Sequence, residues 1–234
     1  MKIKNKVIVP IIFIIVEIIL GIMVQTTSGS LNTTSSFLVV IFAFLFSLLM
    51  FKKKKFFILL SLALMCTVFA DLFLVLLKPM KQVLAMFFFS ITQICYFFII
   101  YFNQNNLKEK KIHIVIRSIV IIIALLLTFI VLKENTNLLS LISLFYYANL
   151  IMNIVFSFRM DNKSLIFSIG LILFACCDLL IGLDIMDSSF IQLKEGTILY
   201  FLANPGFNLA WMFYVPSQML LGLYSTQIDK LTNI

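Results

Sequence analysis

Residues 56–77, FFILLSLALMCTVFADLFLVLL, contain one charged side chain, Asp71, in an otherwise apolar run. About 20 such residues make a helix long enough to cross the ~30 Å hydrocarbon core of a bilayer. Four lysines, Lys52 to Lys55, precede the run, and Lys78-Pro79-Met80-Lys81 closes it, where proline cannot continue the backbone ladder. The stretch therefore reads as a membrane-spanning helix with a carboxylate well past its middle. An ionised carboxylate in hydrocarbon costs at least ~2.5–3.5 kcal/mol on insertion scales, so such residues face a bundle interior and carry function.

The rest of the 234-residue chain repeats the pattern. Of its residues, 62% are hydrophobic and 12% charged, where a soluble domain carries roughly 25% charged. Further apolar runs lie near residues 7–24, 37–51, 83–102, 114–132, 138–158, 164–186 and 207–224. With 56–77 they predict an all-α, polytopic membrane protein of eight transmembrane helices, forming a single domain over 1–234. The first run is too long for a signal peptide, carries Glu17 and is followed by no AxA-like cleavage site. Glu17 reads as a third intramembrane carboxylate, bonded between helices. The fifth run is nearly uniform Ile, Leu and Val, which suggests a lipid-facing helix. Residues 25–36 read as a polar loop.

The net charge of +8 comes from cations in short loops. Thirteen lie on the amino-terminal side and four on the opposite side, with Arg117 just inside the fifth helix. This bias places both termini in the cytoplasm; the expected location is a bacterial cytoplasmic membrane. No basic, aromatic-interleaved soluble segment exists, so nucleic acid is not expected as a partner. Cys66, Cys95, Cys176 and Cys177 lie inside apolar runs and read as small hydrophobes. The single histidine, His113, stands at a loop edge, and without a second histidine or a CxxC spacing neither a metal nor another cofactor is expected.

A second buried carboxylate, Asp178, lies in the seventh helix (LFACCDLLIGL, residues 173–183). Asp71 falls 15 residues past the start of its helix and Asp178 14 past its own, so both sit at nearly one depth. The helix after each carries a glutamine at matching depth, Gln93 and Gln218. The unit therefore occurs twice, which suggests a parallel four-plus-four repeat. In the sixth helix Tyr146, Asn149, Asn153 and Ser157 share one face, as do Trp211, Tyr214 and Gln218 in the eighth.

Two carboxyls in one low-dielectric cavity can divide acid and base roles, as in glycosidases. A vinyl ether suits such a pair. Protonation at its β-carbon gives an oxocarbenium ion that the ionised partner stabilises. Gln93, Tyr96, Asn149, Asn153, Tyr214 and Gln218 are the candidates to hold water or the polar part of a lipid, with Asp71 and Asp178 catalytic. A proton-coupled transporter using the same carboxylates, or a non-catalytic lipid-binding protein, are the alternatives.

FADLFL (69–74), FFFSITQICYF (87–97), GLILFACCDLLIGL (170–183) and WMFYVPSQMLLGLYS (211–225) resemble the YhhN/lysoplasmalogenase family of integral membrane hydrolases. The resemblance implies eight helices. It puts the family's two acidic positions on Asp71 and Asp178, and its tyrosine and Tyr-x-x-x-Gln elements on Tyr96, Tyr214 and Gln218. It further implies metal-independent cleavage of a lysophospholipid substrate, the lysoplasmalogen, to a fatty aldehyde and a glycerophospho-base. Gln93 stands where the family has histidine, Cys177 where it has serine, and Asp184-Ile185 where it often has asparagine and a basic residue.

Overall fold

The structure, a computed structural model, describes residues 3–50, 55–104, 106–133, 136–160, 165–189 and 193–227. Lys2, Lys52 to Lys54, Lys163 and Lys230, which contribute to the charge bias, lie outside the described residues. Among the described residues the chain is helical and contains no strand. The helices are α1 (Ile3–Thr26), α2 (Gly29–Leu49), α3 (Lys55–Asp71), α4 (Gln82–Phe102), α5 (Leu107–Leu132), α6 (Leu138–Ser157), α7 (Leu165–Ser189), α8 (Ile198–Ala203) and α9 (Leu209–Tyr224).

Seven of them, α1 to α7, are long and apolar enough to cross a membrane; the spans of α1 and α7 are Val7–Thr26 and Leu165–Asp184. The run near 207–224 forms α9, whose 16 residues reach about 24 Å, short of a ~30 Å hydrocarbon core. It is nonetheless packed inside the bundle, with Tyr214, Val215, Ser217, Gln218, Leu221, Gly222 and Tyr224 buried.

The second helix begins well before residue 37. Gly29, at φ 63°, turns the chain out of α1, and α2 starts there. Asn32 Nδ2 donates to Val24 O at 2.5 Å, and Thr33 Oγ1 to Gly29 O at 3.2 Å. These polar side chains bond the backbone of the turn and of the helix itself, so a stretch of loop-like composition is helical. The connection before α9 contains the short helix α8, begun by Thr197, whose hydroxyl accepts from Tyr200 N.

The fifth helix begins at Leu107, seven residues before the expected start, and has two faces. Ile119, Ile122, Ile123, Leu126 and Leu127 are exposed, as a lipid-facing surface requires, whereas His113, Arg117 and Thr128 are buried. It packs on α6. Helix α9 packs against α7, α2 and α1. Two glycines permit the closest approaches: a Cβ on Gly170 would lie 3.0 Å from Leu221 Cγ, and one on Gly222 3.0 Å from Phe13 Cζ. Ser217 Oγ adds a hydrogen bond to Gly170 O at 2.8 Å.

Candidate active site

Asp71 is the last residue of α3, and the backbone beyond it winds into a π-helical turn, Leu72–Leu76. Leu77 N donates back five residues to Leu72 O at 2.9 Å. Such widened turns recur at functional sites because they re-aim side chains without ending the helix. Asp71 is 3% exposed. Its Oδ2 accepts a hydrogen bond of 2.5 Å from the Tyr214 hydroxyl, 143 residues along the chain. The nearby Thr67 serves another purpose: its hydroxyl donates to Ala63 O and lies 3.4 Å from that of Thr92, joining α3 to α4.

Asp178 on α7 is half-buried and has the same kind of partner. The Tyr146 hydroxyl on α6 donates to its Oδ2. Each aspartate thus receives a tyrosine O–H at one oxygen. No other hydrogen bond reaches either carboxylate among the described residues.

The two tyrosine–aspartate pairs are joined by rings. Tyr146 lies 5.6 Å from Phe89, Phe89 5.7 Å from Phe174, and Phe174 5.5 Å from Tyr214, centroid to centroid. Trp211 continues the chain, set edge-on to Tyr214 at 5.0 Å. Asp178 lies within electrostatic reach of both Asp71 and the Tyr214 hydroxyl. The rings of Phe89 and Phe174 thus bridge the two pairs, in apolar surroundings whose low dielectric strengthens every charge interaction.

The match to a family model covers residues 31–223, a span that contains both aspartates and both tyrosines. The chain belongs to the YhhN family. A comparison with curated proteins and with solved structures gives no match. Helix α1, with Glu17, precedes the part of the chain matched to the YhhN family.

The remaining candidates are distributed unevenly. Gln218 lies one turn past Tyr214, fully buried, and neither its Oε1 nor its Nε2 has a partner. Tyr96 is also fully buried, edge-on to Phe167 at 5.5 Å, with its hydroxyl unpaired. Gln93, Asn149 and Asn153 gather around Arg117 rather than at the aspartates. Arg117 Nη1 donates to Asn149 Oδ1 at 2.7 Å, and Nη2 to Asn153 Oδ1 at 2.6 Å. Asn153 Nδ2 donates in turn to Gln93 O and Oε1, both at 2.9 Å.

His113 completes this second cluster. Arg117 has only donors, so its Nη2 donates to His113 Nε2 at 3.1 Å, and Nδ1–H is left to donate to Gln104 Oε1 at 3.3 Å. Far from edging a loop, His113 is fully buried, its ring stacked on Phe156 at 3.8 Å. The Arg117 guanidinium also lies 4.5 Å from the Phe97 ring.

Sequence reasoning passed over two residues here. Tyr146 was visible as the head of the polar stripe on the sixth helix, yet no spacing connects it to Asp178. Arg117 counted as a boundary cation, while the asparagines it binds lie 32 and 36 residues further on. A lone arginine facing two amides in apolar runs was the available signal.

Proposed function

We propose that this YhhN-family protein is an integral membrane hydrolase that cleaves the vinyl ether of a lysoplasmalogen. The observation that carries the reading is the pair of aspartates, each accepting a tyrosine hydroxyl, with the rings of Phe89 and Phe174 between the two tyrosines.

One aspartic acid gives its proton to the β-carbon of the vinyl ether, leaving an oxocarbenium ion on the ether side. The other, as carboxylate, stabilises that cation and then takes a proton from the water that attacks it. The resulting hemiacetal collapses: its hydroxyl proton leaves, the ether C–O bond breaks, and the glycerol oxygen is protonated. A fatty aldehyde and a glycerophospho-base depart, one water has been consumed and the aspartates recover their starting forms. Tyr214 and Tyr146 hold the carboxyls in place. Gln218, with an unpaired donor and acceptor one turn away, is suited to water or to the glycerol hydroxyl. The ring walls fit the alkenyl chain of such a lipid.

In this reading α9 is an eighth span, completed by the residues that flank it. The excess of loop cations on the amino-terminal side sets both termini in the cytoplasm. The cell membrane of a bacterium is the matching location, and the matched depth of Asp71 and Asp178 reflects a four-plus-four repeat.

The test is to give purified protein a lysoplasmalogen or its saturated ether analogue and to measure free aldehyde. Aldehyde from the vinyl ether alone supports the reading. Absence of aldehyde from both lipids overturns it and leaves a transporter, detectable as solute movement in vesicles, or a lipid-binding protein.

A further inference from the structure

Arg117 brings a permanent positive charge into the bundle, and its hydrogen bonds dictate how every amide around it is turned. A guanidinium has donors only, so Asn149 and Asn153 face it with Oδ1, and His113 offers an unprotonated Nε2. The consequences pass outward. Asn153 is left with Nδ2 to donate, so Gln93 meets it with Oε1. His113 is left with Nδ1–H, so Gln104 meets it with Oε1. Each acceptor in the chain is used, and the spare amide groups are donors.

Asn149 Nδ2 finds an acceptor in Phe145 O at 2.8 Å. Gln93 Nε2 and Gln104 Nε2 find none, and neither does Arg117 Nε. The side-chain atoms left without a partner in this cluster are therefore all N–H donors. Gln93, Gln104 and His113 are fully enclosed, and Arg117 is 6% exposed. Among the described residues no carboxylate bonds the guanidinium.

Water can cap spare donors, but it cannot balance the charge. An ionised group in apolar surroundings without a partner of opposite sign is among the costliest features a protein can bury. A small anion answers both needs at once. The guanidinium lies 4.5 Å from the Phe97 ring, and Phe97 is one turn beyond Gln93 on the same face of α4, which brings Gln93 alongside it. Full enclosure suits an ion and excludes a phosphate that carries a lipid chain. We infer that the Arg117 cluster is a binding site for a small monovalent anion of the size of chloride, held by Arg117 Nε and Gln93 Nε2. The site shares no hydrogen bond with either tyrosine–aspartate pair among the described residues and does not depend on the reaction proposed for them.

The test is the unfolding midpoint of the purified full chain in an uncharged detergent, with sodium chloride exchanged for sodium gluconate at constant ionic strength. Fixed ionic strength holds screening constant, and gluconate is too large for an enclosed site. The midpoint is expected to rise with chloride and then flatten, by roughly 5 °C in all, as a ligand of the folded state requires. Gln93→Glu is the decisive variant. It sets a carboxylate oxygen where the free Nε2 stands, while the main-chain carbonyl at 93, which also accepts from Asn153 Nδ2, is kept. It should hold the higher midpoint in gluconate and gain nothing from chloride. Arg117→Met should melt lower and lose the chloride response. Equal midpoints of the unaltered protein in chloride and gluconate would overturn the site, as would a chloride response that survives in either variant. Should neither variant fold, bromide located by anomalous scattering in crystals of the unaltered protein decides: a peak beside Arg117 supports the site, and its absence there overturns it.

Discussion

Tyr214 donates its hydroxyl hydrogen to Asp71 at 2.5 Å, tying the start of α9 to the last residue of α3. The bond crosses 143 residues of chain and fixes a carboxylate that is otherwise enclosed by apolar helices. Tyr146 does the same for Asp178 from α6. The site is therefore assembled from four helices, none of which supplies both members of a pair.

Removing either hydroxyl should leave the fold and lower the rate. Tyr214→Phe and Tyr146→Phe each delete one donor to a carboxylate while keeping the ring that packs against Phe174 or Phe89. Loss of such a bond is worth about 1.5–3 kcal/mol, or roughly tenfold to a hundredfold if it is felt at the transition state. Aldehyde release by the two variants checks this. The double variant should fall by less than the product of the single effects, because in the proposed mechanism both pairs serve one reaction.

Arg117 should be structural. It binds Asn149, Asn153 and His113 from one guanidinium, with no carboxylate among these partners. Arg117→Met retains much of the stem but leaves these acceptors bare. A loss of about 1–3 kcal/mol is expected, since interhelical hydrogen bonds in membranes are individually modest. The unfolding midpoint in detergent measures it, and Arg117→Lys should recover only part, because a single ammonium cannot span both amides.

Glu17 should behave in the opposite way. It is fully buried in α1, and neither carboxylate oxygen has a hydrogen-bond partner. The expected bond between helices is not made. Burying a polar group without a partner is unfavourable by about 1–3 kcal/mol on mutational scales, so Glu17→Leu, of similar volume, should raise the unfolding midpoint in detergent. A fall of several degrees would contradict the placement.

Much of the fold was legible because membranes impose simple length rules. Runs of about 20 apolar residues located the helices, and the cost of a buried charge singled out Asp71 and Asp178. The Tyr214 and Gln218 face of α9 followed from helical periodicity alone. Less legible were features set by partners distant in sequence. Nothing near Tyr146 announces a carboxylate 32 residues ahead. Asn149 and Asn153 look ready for a substrate until Arg117 is seen to occupy them. The early start of α2 was hidden because Ser, Thr and Asn suit both a loop and a helix whose side chains bond its own backbone. The widening of α3 into a π-helical turn just past Asp71 has no composition signal at all.

The central claim, that both aspartates act on one vinyl ether, is tested most directly by measuring aldehyde release from a lysoplasmalogen by Asp71→Asn and Asp178→Asn. Asparagine keeps the shape and an oxygen to accept from the tyrosine, but it cannot exchange a proton. Each variant is predicted to lose on the order of 10²–10⁴ in rate, the usual contribution of a positioned acid or base, while the unfolding midpoint stays close to that of the unaltered protein. A folded variant of either kind that releases aldehyde at the original rate would contradict the account.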